Sequence, residues 1–348
     1  MTNRRFSAAL IAGAAAATLL LTGCVAGEDA PAQGDAASTG GASLTTGGAL
    51  NIDFATYNPL SLVIKEKGWL EDALAEREIT VNWIQSAGSN KANEALRAGA
   101  IDVGSTAGSA ALLHRSNGSK IQVIDIFSQP EWAALVAADG SEITDVADLA
   151  GKSVAATTGT DPYFFLLQSL EEAGLSQDDV TIENLQHADG WSALQSGSVD
   201  AWAGLDPIMG GAEGAGADLF YRNVDFNSYG FLNATEAFIA EKPDVAQTVV
   251  SVYEHARAWA LDNPEETAQI LADAAGIDLA IATTVITERT NLDVDNVPGN
   301  DQLAVLEKIG PTFVEIGDVP NQKLVDEALD TIVNDTFATQ ADPTIVAE

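Results

Sequence analysis

Short runs of β-branched and other apolar residues alternate with helical patterns from Ala49 onward. Such runs occupy 50–54, 79–84, 101–104, 121–127 and 133–138, and the pattern then restarts with 153–157, 180–185 and 199–203. Strands that alternate with helices are typical of α/β domains with parallel sheets. Two successive sets predict two similar lobes, and the roughly 300 residues from Ala49 onward suit two lobes better than one core.

The last third of the sequence is mostly helical in pattern. We predict that 229–240 is a strand leading back into the first lobe, and that the chain is almost wholly helical from Pro243 onward, with breaks at Pro264, Gly276 and Pro320. The sequence therefore predicts an α/β fold with two lobes and a helical C-terminal part. Lobe 1 would comprise 49–132 and 230–348, and lobe 2 would comprise 133–229.

The N-terminus carries the single cysteine of the chain, Cys24, at the end of an apolar segment. Arg4 and Arg5 precede a mostly apolar stretch, 8–21, that is short for a membrane span. We therefore expect 1–23 to be a signal peptide. A buried or free thiol is the alternative for a lone cysteine. Because there is no second cysteine to form a disulfide, a sizeable core must hold the fold.

The end of this apolar segment, Leu21-Thr22-Gly23-Cys24, resembles the lipobox of bacterial lipoproteins. The resemblance implies that Cys24 becomes the first residue, carries the lipid, and anchors the protein to the outer face of the cell membrane. The segment that follows, VAGEDAPAQGDAASTGGASLTTGG, is rich in small residues and has no aromatic residue. It buries too little apolar surface to offset its chain entropy, so we expect 24–48 to be a flexible tether.

Acidic residues greatly outnumber basic ones. The chain has 51 Asp and Glu against 16 Lys and Arg, and two of the basic residues lie in the predicted signal peptide. A nucleic-acid binder needs a basic surface, so the composition excludes nucleic acid as a general partner. An acidic surface is typical of solubility in the envelope or in salt, and it also attracts cationic ligands.

Ligands of parallel α/β sheets bind where strands open into helices. The predicted strand-to-helix loops contain Gly, Ser, Thr, Asn and aromatic residues but no Lys or Arg; they are 55–59, 86–90, 105–109, 128–132, 158–163, 186–191 and 204–207. Amide N–H groups at helix starts favour anions without a charged side chain, and aromatic rings hold an apolar or cationic body. The composition of these loops indicates a ligand-binding protein rather than an enzyme.

The sequence offers little support for an enzyme. It has three histidines, His114, His187 and His255, without metal-binding spacing, and it contains no nucleophile elbow, P-loop or dinucleotide motif. His187 follows a predicted strand and is the best histidine candidate for a site role, with a surface or hinge position as the alternative. We expect no enzymatic activity, no cofactor and no metal.

Several segments, in order, resemble one family of binding proteins. The run Asp145–Ala155, DVADLAGKSVA, resembles the segment that opens the second lobe of substrate-binding proteins for aliphatic sulfonates, nitrate and taurine. Further similar pieces are Gly88–Lys91 with Ile101–Ser105, the turn Gly159-Thr160, and Gly197–Trp202 with Asp206-Pro207. The match covers about Ala49 to Ala240, and any one piece alone is weak.

The resemblance implies a type II periplasmic-binding-protein fold whose lobes close on a small ligand. It also implies a monomer that delivers this ligand to the permease and ATPase subunits of an ABC importer. Carried over by position, the ligand-binding residues are Tyr57, Asn58, Ser86, Ser89, Ser105, Thr106, Glu131, Trp132, Thr158, Thr160, Asp161, Tyr163, Trp191 and Asp206. Helix caps and core packing are the alternative roles for many of them.

The sequence departs from the sulfonate binders at the second-lobe turn. Where they often have serines, this chain has Thr160, Asp161 and Pro162. A carboxylate at a helix start opposes a bound anion. With Glu131 and Asp206 expected nearby, an amine or a zwitterion such as taurine would suit this pocket better than a bare dianion. Nitrate, a heterocyclic amine such as a thiamine precursor, and a tethered sensor without a transporter remain alternatives.

Overall fold

The computed structural model describes residues 44–346, so the predicted signal peptide, Cys24 and most of the predicted tether lie outside the described residues. The strands are β1 (Ala49–Phe54), β2 (Thr80–Gln85), β3 (Val103–Ala107), β4 (Ile121–Ser128), β5 (Ala133–Ala137), β6 (Ser153–Ala156), β7 (Thr181–Asn184), β8 (Ala201–Leu205), β9 (Asp218–Tyr221) and β10 (Gly230–Thr235). Within these residues, no helix is both long and apolar enough to cross a bilayer.

Helices connect most of these strands and make up the C-terminal part. They are α1 (Pro59–Lys67), α2 (Trp69–Ala75), α3 (Ser89–Arg97), α4 (Gly108–Ser116), α5 (Asp161–Glu172), α6 (His187–Gln195), α7 (Ile208–Gly214), α8 (Glu236–Glu241), α9 (Pro243–Asp262), α10 (Pro264–Ala275), α11 (Leu279–Thr284), α12 (Asn300–Glu315), α13 (Gln322–Ile332) and α14 (Thr336–Thr339). A π-helical turn, Val285–Arg289, continues α11.

The strands form two five-stranded sheets with the same arrangement. The first sheet has the order β2-β1-β3-β10-β4 and the second has the order β7-β6-β8-β5-β9. In each sheet the first three strands are parallel, and the fourth is antiparallel to both of its neighbours. We call the parts built on the first and second sheets lobe 1 and lobe 2. The predicted α/β fold with two lobes is confirmed, while the boundaries given for the lobes stay a prediction.

The chain crosses between the lobes twice, and each crossing leads into the antiparallel strand of the sheet it enters. We call residues 129–132, between β4 and β5, the first crossing and 222–229, between β9 and β10, the second crossing. The amides of Gln129 and Glu131 donate to the carbonyls of Asn291 and Arg289, at 3.1 and 2.8 Å. The segment after α11 therefore holds the first crossing in place.

Three details of the predicted elements are corrected. The strand expected at 229–240 ends at Thr235, because the hydroxyl of Thr235 accepts the amide N–H of Phe238 and starts α8. The predicted strand-to-helix loop 105–109 lies partly in β3, which continues through Ala107 to pair with Gly230 of β10, so α4 begins at Gly108. The short edge strand β9 was not predicted.

Arg257 of α9 joins the end of β4 to the C-terminal part. Its guanidinium donates to the carbonyl oxygens of Ile126, Phe127 and Leu292, the last at 2.7 Å, and to the carboxylate of Glu254 at 3.1 Å. Buried backbone carbonyls need such partners. This side chain supplies them at the point where the first crossing begins.

At Gly230, strand β10 lies very close to side chains of β4. A Cβ at this position would lie 2.5 Å from ring carbons of Phe127 and 2.6 Å from Oγ of Ser128. We expect Gly230→Ala to lower the free energy of unfolding by about 1–3 kcal/mol, because the core would have to shift. Urea unfolding checks this. Gly211→Ala in α7, whose Cβ would meet nothing closer than 3.8 Å, is the control and should not destabilise; equal losses in both variants would contradict the packing argument.

Candidate functional site

Helices of both lobes begin at the cleft between them. The hydroxyl of Ser109, at the start of α4, donates to the carboxylate of Asp161, at the start of α5. Gly88, which precedes α3, lies against His187, the first residue of α6. None of these four helices has a side-chain cap. Since the first amides of a helix have no partner within it, positive partial charge is directed at the cleft from both lobes.

The carboxylate of Asp161 is satisfied by the protein itself. Besides the Ser109 hydroxyl, it accepts the indole N–H of Trp132 at 2.8 Å and both the amide and the hydroxyl of Ser228, at 2.8 and 2.6 Å. Burial raises the pKa of Asp161, and these hydrogen bonds oppose that rise. Its oxygens are thus occupied by donors of lobe 1 and of both crossings, and the expected role of Asp161 at a ligand stays a prediction.

The other two carboxylates expected in the pocket also have partners. Glu131 forms a bidentate ion pair with Arg222 of the second crossing, at 2.8 and 2.9 Å. Asp206 accepts the amide of Gly210 at 2.9 Å and lies 3.4 Å from the guanidinium of Arg289. Burial raises the pKa of Asp206 to about 6, although Arg289 lowers it. Each of the three carboxylates expected in the pocket therefore already has a partner within the protein.

Arg289 is the functional candidate that sequence reasoning missed. It is 5% exposed, ends the π-helical turn, and pairs with Glu213 as well as Asp206, both from lobe 2. The turn is closed by the amide of Thr290, which donates to the carbonyl of Val285 at 2.9 Å. π-Helical turns often occur at functional sites. No motif in the sequence distinguishes this arginine from others in the helical C-terminal part.

Arg289 lines a small cavity in the cleft together with aromatic and apolar groups. The lining residues are Thr56, Tyr57, Pro59, Pro130, Trp132, Asp206, Val285, Arg289 and Thr290. The rings of Tyr57 and Trp132 meet edge to face with centroids 6.1 Å apart. The cavity volume is about 10 Å³, which is room for about one water molecule. The lobes are thus closed, and a ligand enters only if they separate.

A buried carboxyl, Asp53, lies under the floor of the cleft at the end of β1. It accepts the amide of Ser105 at 2.9 Å and the Ser105 hydroxyl at 3.1 Å. Burial raises the pKa of Asp53 to about 7, against the hydrogen bonds of Ser105 and Ser86, which lower it. The phenol of Tyr57 donates to the carbonyl of Ser105 at 2.9 Å, so this network also orients the ring that lines the cavity.

Several predicted site residues bond within the protein. Asn58 caps α1 by accepting the amide of Ser61 at 3.3 Å, and it donates to the phenol of Tyr253 at 3.2 Å. The Ser89 hydroxyl accepts the amide of Ala107 at 2.9 Å. The Thr160 hydroxyl donates to the carbonyl of Thr157 at 2.6 Å. These contacts favour the structural alternative that the sequence left open for them.

The remaining predicted residues are placed as follows. Thr106 is buried in β3 and accepts from Asn233, and Thr158 is half-buried with its amide bonded to Asn184. Tyr163 is buried beside Phe164, and Trp191 packs on Trp202 with ring centroids 6.1 Å apart. Of the predicted set, the structure brings Tyr57, Trp132 and Asp206 together around the small cavity in the cleft, and it joins Trp132 to Asp161.

A comparison with protein families decides where the chain belongs. The sequence profile of a family described as NMT1/THI5 like matches residues 59–267, which is more than half of the chain. The chain belongs to this family. Proteins that are similar to this chain include those named "Putative aliphatic sulfonates-binding protein" in Escherichia coli (strain K12) and Bacillus subtilis (strain 168). They are 28% and 29% identical over 75% and 79% of this chain, and over 81% and 86% of their own lengths.

Solved structures share the fold of this NMT1/THI5-like protein. The periplasmic aliphatic sulphonate binding protein SsuA from Escherichia coli is 25% identical, with a TM-score of 0.71 over 83% of this chain and 92% of that chain. This confirms the predicted periplasmic-binding-protein fold. The desulfurization enzyme DSZB has the same fold at 17% identity and a TM-score of 0.60, over 84% of this chain and 97% of that chain. The fold alone therefore does not separate binding from catalysis.

The raised pKa of Asp53 makes the stability of this NMT1/THI5-like protein depend on pH. The folded chain keeps the Asp53 proton up to about pH 7, whereas the unfolded carboxyl loses it near its ordinary value of 3.8. The wild type should therefore lose stability as pH rises from 5 to 7, while Asp53→Asn does not titrate. Between pH 5 and 8 we expect the free energy of unfolding of the variant to gain on the order of 2 kcal/mol relative to the wild type.

Urea unfolding across this pH range checks the prediction. Asp200→Asn is the matched control, because hydrogen bonds from the Ser153 amide and hydroxyl lower the pKa of Asp200 and confine its effect to more acidic pH. Parallel pH profiles for wild type and Asp53→Asn would contradict the raised pKa.

Proposed function

We propose that this protein is an extracytoplasmic, lipid-anchored solute-binding protein that captures a small organic sulfonate between its lobes and delivers it to an ABC importer. The observation that carries the proposal is the buried guanidinium of Arg289 on the lining of the cleft. A guanidinium presents paired N–H donors that fit the oxygens of an oxyanion. The relatives named as sulfonates-binding proteins supply the ligand class.

The cleft also offers a place for the organic part of such a ligand. Tyr57, Trp132 and Val285 line the cavity next to Arg289, and they present aromatic and aliphatic surface to a short carbon chain. The uncapped starts of α3 and α6 add partial positive charge without further basic side chains. A monoanion with an apolar body fits these surfaces better than a bare dianion.

Capture requires that the lobes open and close. Several contacts bridge them in the closed arrangement: Ser109 with Asp161, Arg289 with Asp206, and the ring of Phe164 in lobe 2 with Phe313 of α12, whose centroids are 4.8 Å apart. The two crossings are the connections about which a hinge motion would take place. Contacts that a ligand makes only between closed lobes would shift the population toward this arrangement.

The relatives that support the proposal are named for binding, and we propose that this chain likewise binds its ligand without chemistry. The carboxylates at the cleft form internal hydrogen bonds or ion pairs. Such contacts can hold the lobes closed and fix the positions of neighbouring side chains. Delivery to a permease and ATPase, a monomeric state and attachment through Cys24 complete the proposal. A lipid on Cys24 would hold the folded body beside its importer.

Sulfonate binding and the role of Arg289 are tested together by calorimetric titration and by thermal unfolding with ligand. We expect millimolar ethanesulfonate to raise the unfolding midpoint of the wild type by mass action. Arg289→Gln should weaken ethanesulfonate binding about 10-fold or more, the usual loss for a hydrogen bond to a charged group.

Arg115→Gln is the control, since Arg115 pairs with Glu236 on lobe 1 and does not line the cavity. It should bind like the wild type. No shift with any alkanesulfonate, together with a shift by nitrate, choline or a thiamine precursor, would refute the sulfonate assignment.

The anchor has a separate test in the producing cell. We expect the wild type in the membrane fraction with acyl groups on Cys24, and Cys24→Ser in the soluble or secreted fraction without them. Fractionation and mass spectrometry of the N-terminal peptide measure both. An unmodified cysteine in the full-length wild type would show that the lipid anchor is wrong.

A further inference from the structure

Helix α11, in the C-terminal part, contacts both lobes. On one side, Ala282 and Ile286 are buried in an apolar cluster with Leu62 of α1 and Leu271 of α10, which attaches α11 to lobe 1. On the other side, Ile281 reaches α7 of lobe 2. A short helix that belongs to neither crossing therefore also joins the lobes.

The α7 side of this contact is made of glycine. A Cβ built on Gly214 would lie 2.7 Å from Cδ1 of Ile281, and one built on Gly210 would lie 3.1 Å from Cγ2 of both Ile281 and Val285. Both distances are shorter than an ordinary contact between carbon atoms. Neither glycine has a positive φ that would itself favour glycine. The absence of side chains here therefore serves the close approach of α11.

The contact is separate from the apolar core of lobe 2. Met209 and Ala212 of α7 are buried in a cluster of lobe 2, and none of the described residues of α11 belongs to it. At the contact itself, Gly214 is exposed and Ile281 is half-buried, whereas Ala282 on the lobe 1 side is fully buried. Separation on the α7 side exposes less apolar surface than separation from lobe 1. We therefore expect α11 to stay with lobe 1 when the lobes open.

The same face of α11 leads to the cavity in the cleft. Ile281, Val285 and Arg289 follow one another at intervals of four residues, which places them on one side of the helix. Val285 and Arg289 line the cavity, and Arg289 pairs with Asp206 and Glu213, which lie on either side of Gly210 in the sequence. The packing of α7 against Ile281 thus determines how closely lobe 2 approaches the cavity.

We propose that α7 and α11 form a closure interface, in which Gly210 and Gly214 are positioning residues that admit Ile281 and so let lobe 2 close over a ligand at Arg289. None of the two glycines and Ile281 lines the cavity, so they act on the ligand only through closure. The apparent affinity of the cleft falls with the fraction of closed molecules. This inference rests on the proposed function and adds the residues that set its affinity.

Two added methyl groups test the inference. The double variant Gly210→Ala with Gly214→Ala should bind ethanesulfonate about 10-fold or more weakly in calorimetric titration, because the closed arrangement loses population in proportion. In small-angle X-ray scattering without ligand, it should have a larger radius of gyration than the wild type. Every protein compared is the full mature chain with Cys24→Ser, which keeps it free of lipid.

A compensating substitution separates the interface from a general effect of the methyl groups. Ile281→Ala, added to the double variant, removes most of the atoms that these groups would meet. Ethanesulfonate affinity should then return to within about 3-fold of the wild type, and the radius of gyration should return with it. Gly211→Ala in the same helix is the control, because its Cβ would meet nothing closer than 3.8 Å. It should behave as the wild type does.

Each outcome has one meaning. An affinity or a radius of gyration equal to that of the wild type in the double variant overturns the closure interface and leaves sulfonate binding intact. A loss that Ile281→Ala does not reverse also overturns it, because the methyl groups would then act within lobe 2. If the wild type binds no alkanesulfonate, the proposed function fails, and the radii of the unliganded proteins alone decide the closure interface.

Discussion

The buried carboxylate of Asp161 connects the parts of the molecule that must move when the lobes separate. It belongs to the first turn of α5 in lobe 2, and it accepts from Ser109 in lobe 1, from Trp132 on the first crossing and from Ser228 on the second. Hydrogen bonds to a buried carboxylate are stronger than neutral ones, and losing a donor there leaves an expensive unsatisfied oxygen. Opening must break the Ser109 contact and return water to this carboxylate. The closed arrangement of the lobes depends on this group.

Arg289 makes the second polar link across the lobes, and its contact with Asp206, at 3.4 Å, is longer than the hydrogen bonds that Asp161 accepts from Trp132 and Ser228 at 2.8 Å. Burial raises the pKa of Asp206 to about 6, although Arg289 lowers it. Exchanging one long contact for a ligand oxyanion costs less than breaking a set of short hydrogen bonds to a buried carboxylate. Asp161 therefore holds the closed lobes together, whereas Arg289 can exchange its carboxylate partner for an oxyanion of the ligand. In a cleft with both groups, one contact stabilises the closed arrangement and the other makes it depend on the bound ligand.

The sequence was enough to predict the two lobes, the strand-to-helix loops and the family, because these follow from periodicity and local motifs. Individual site roles depended on contacts between distant residues. Asp161 was expected in the pocket as a helix-start carboxylate, yet Ser228, far along the chain, occupies its oxygens. Arg289 reaches the cleft only because a π-helical turn and the packing of the C-terminal part place it there. The orientation of His187 depends on Thr157 and on the absence of a side chain at Gly88. No local pattern contains such information.

A crystal structure grown with ethanesulfonate tests the central claim most directly. Our account predicts closed lobes with the sulfonate between them, at hydrogen-bond distance from the guanidinium of Arg289 and with its carbon chain against Tyr57 and Trp132. Sulfonate bound outside the cleft, or lobes closed without it while Arg289 keeps both Asp206 and Glu213, would contradict the account.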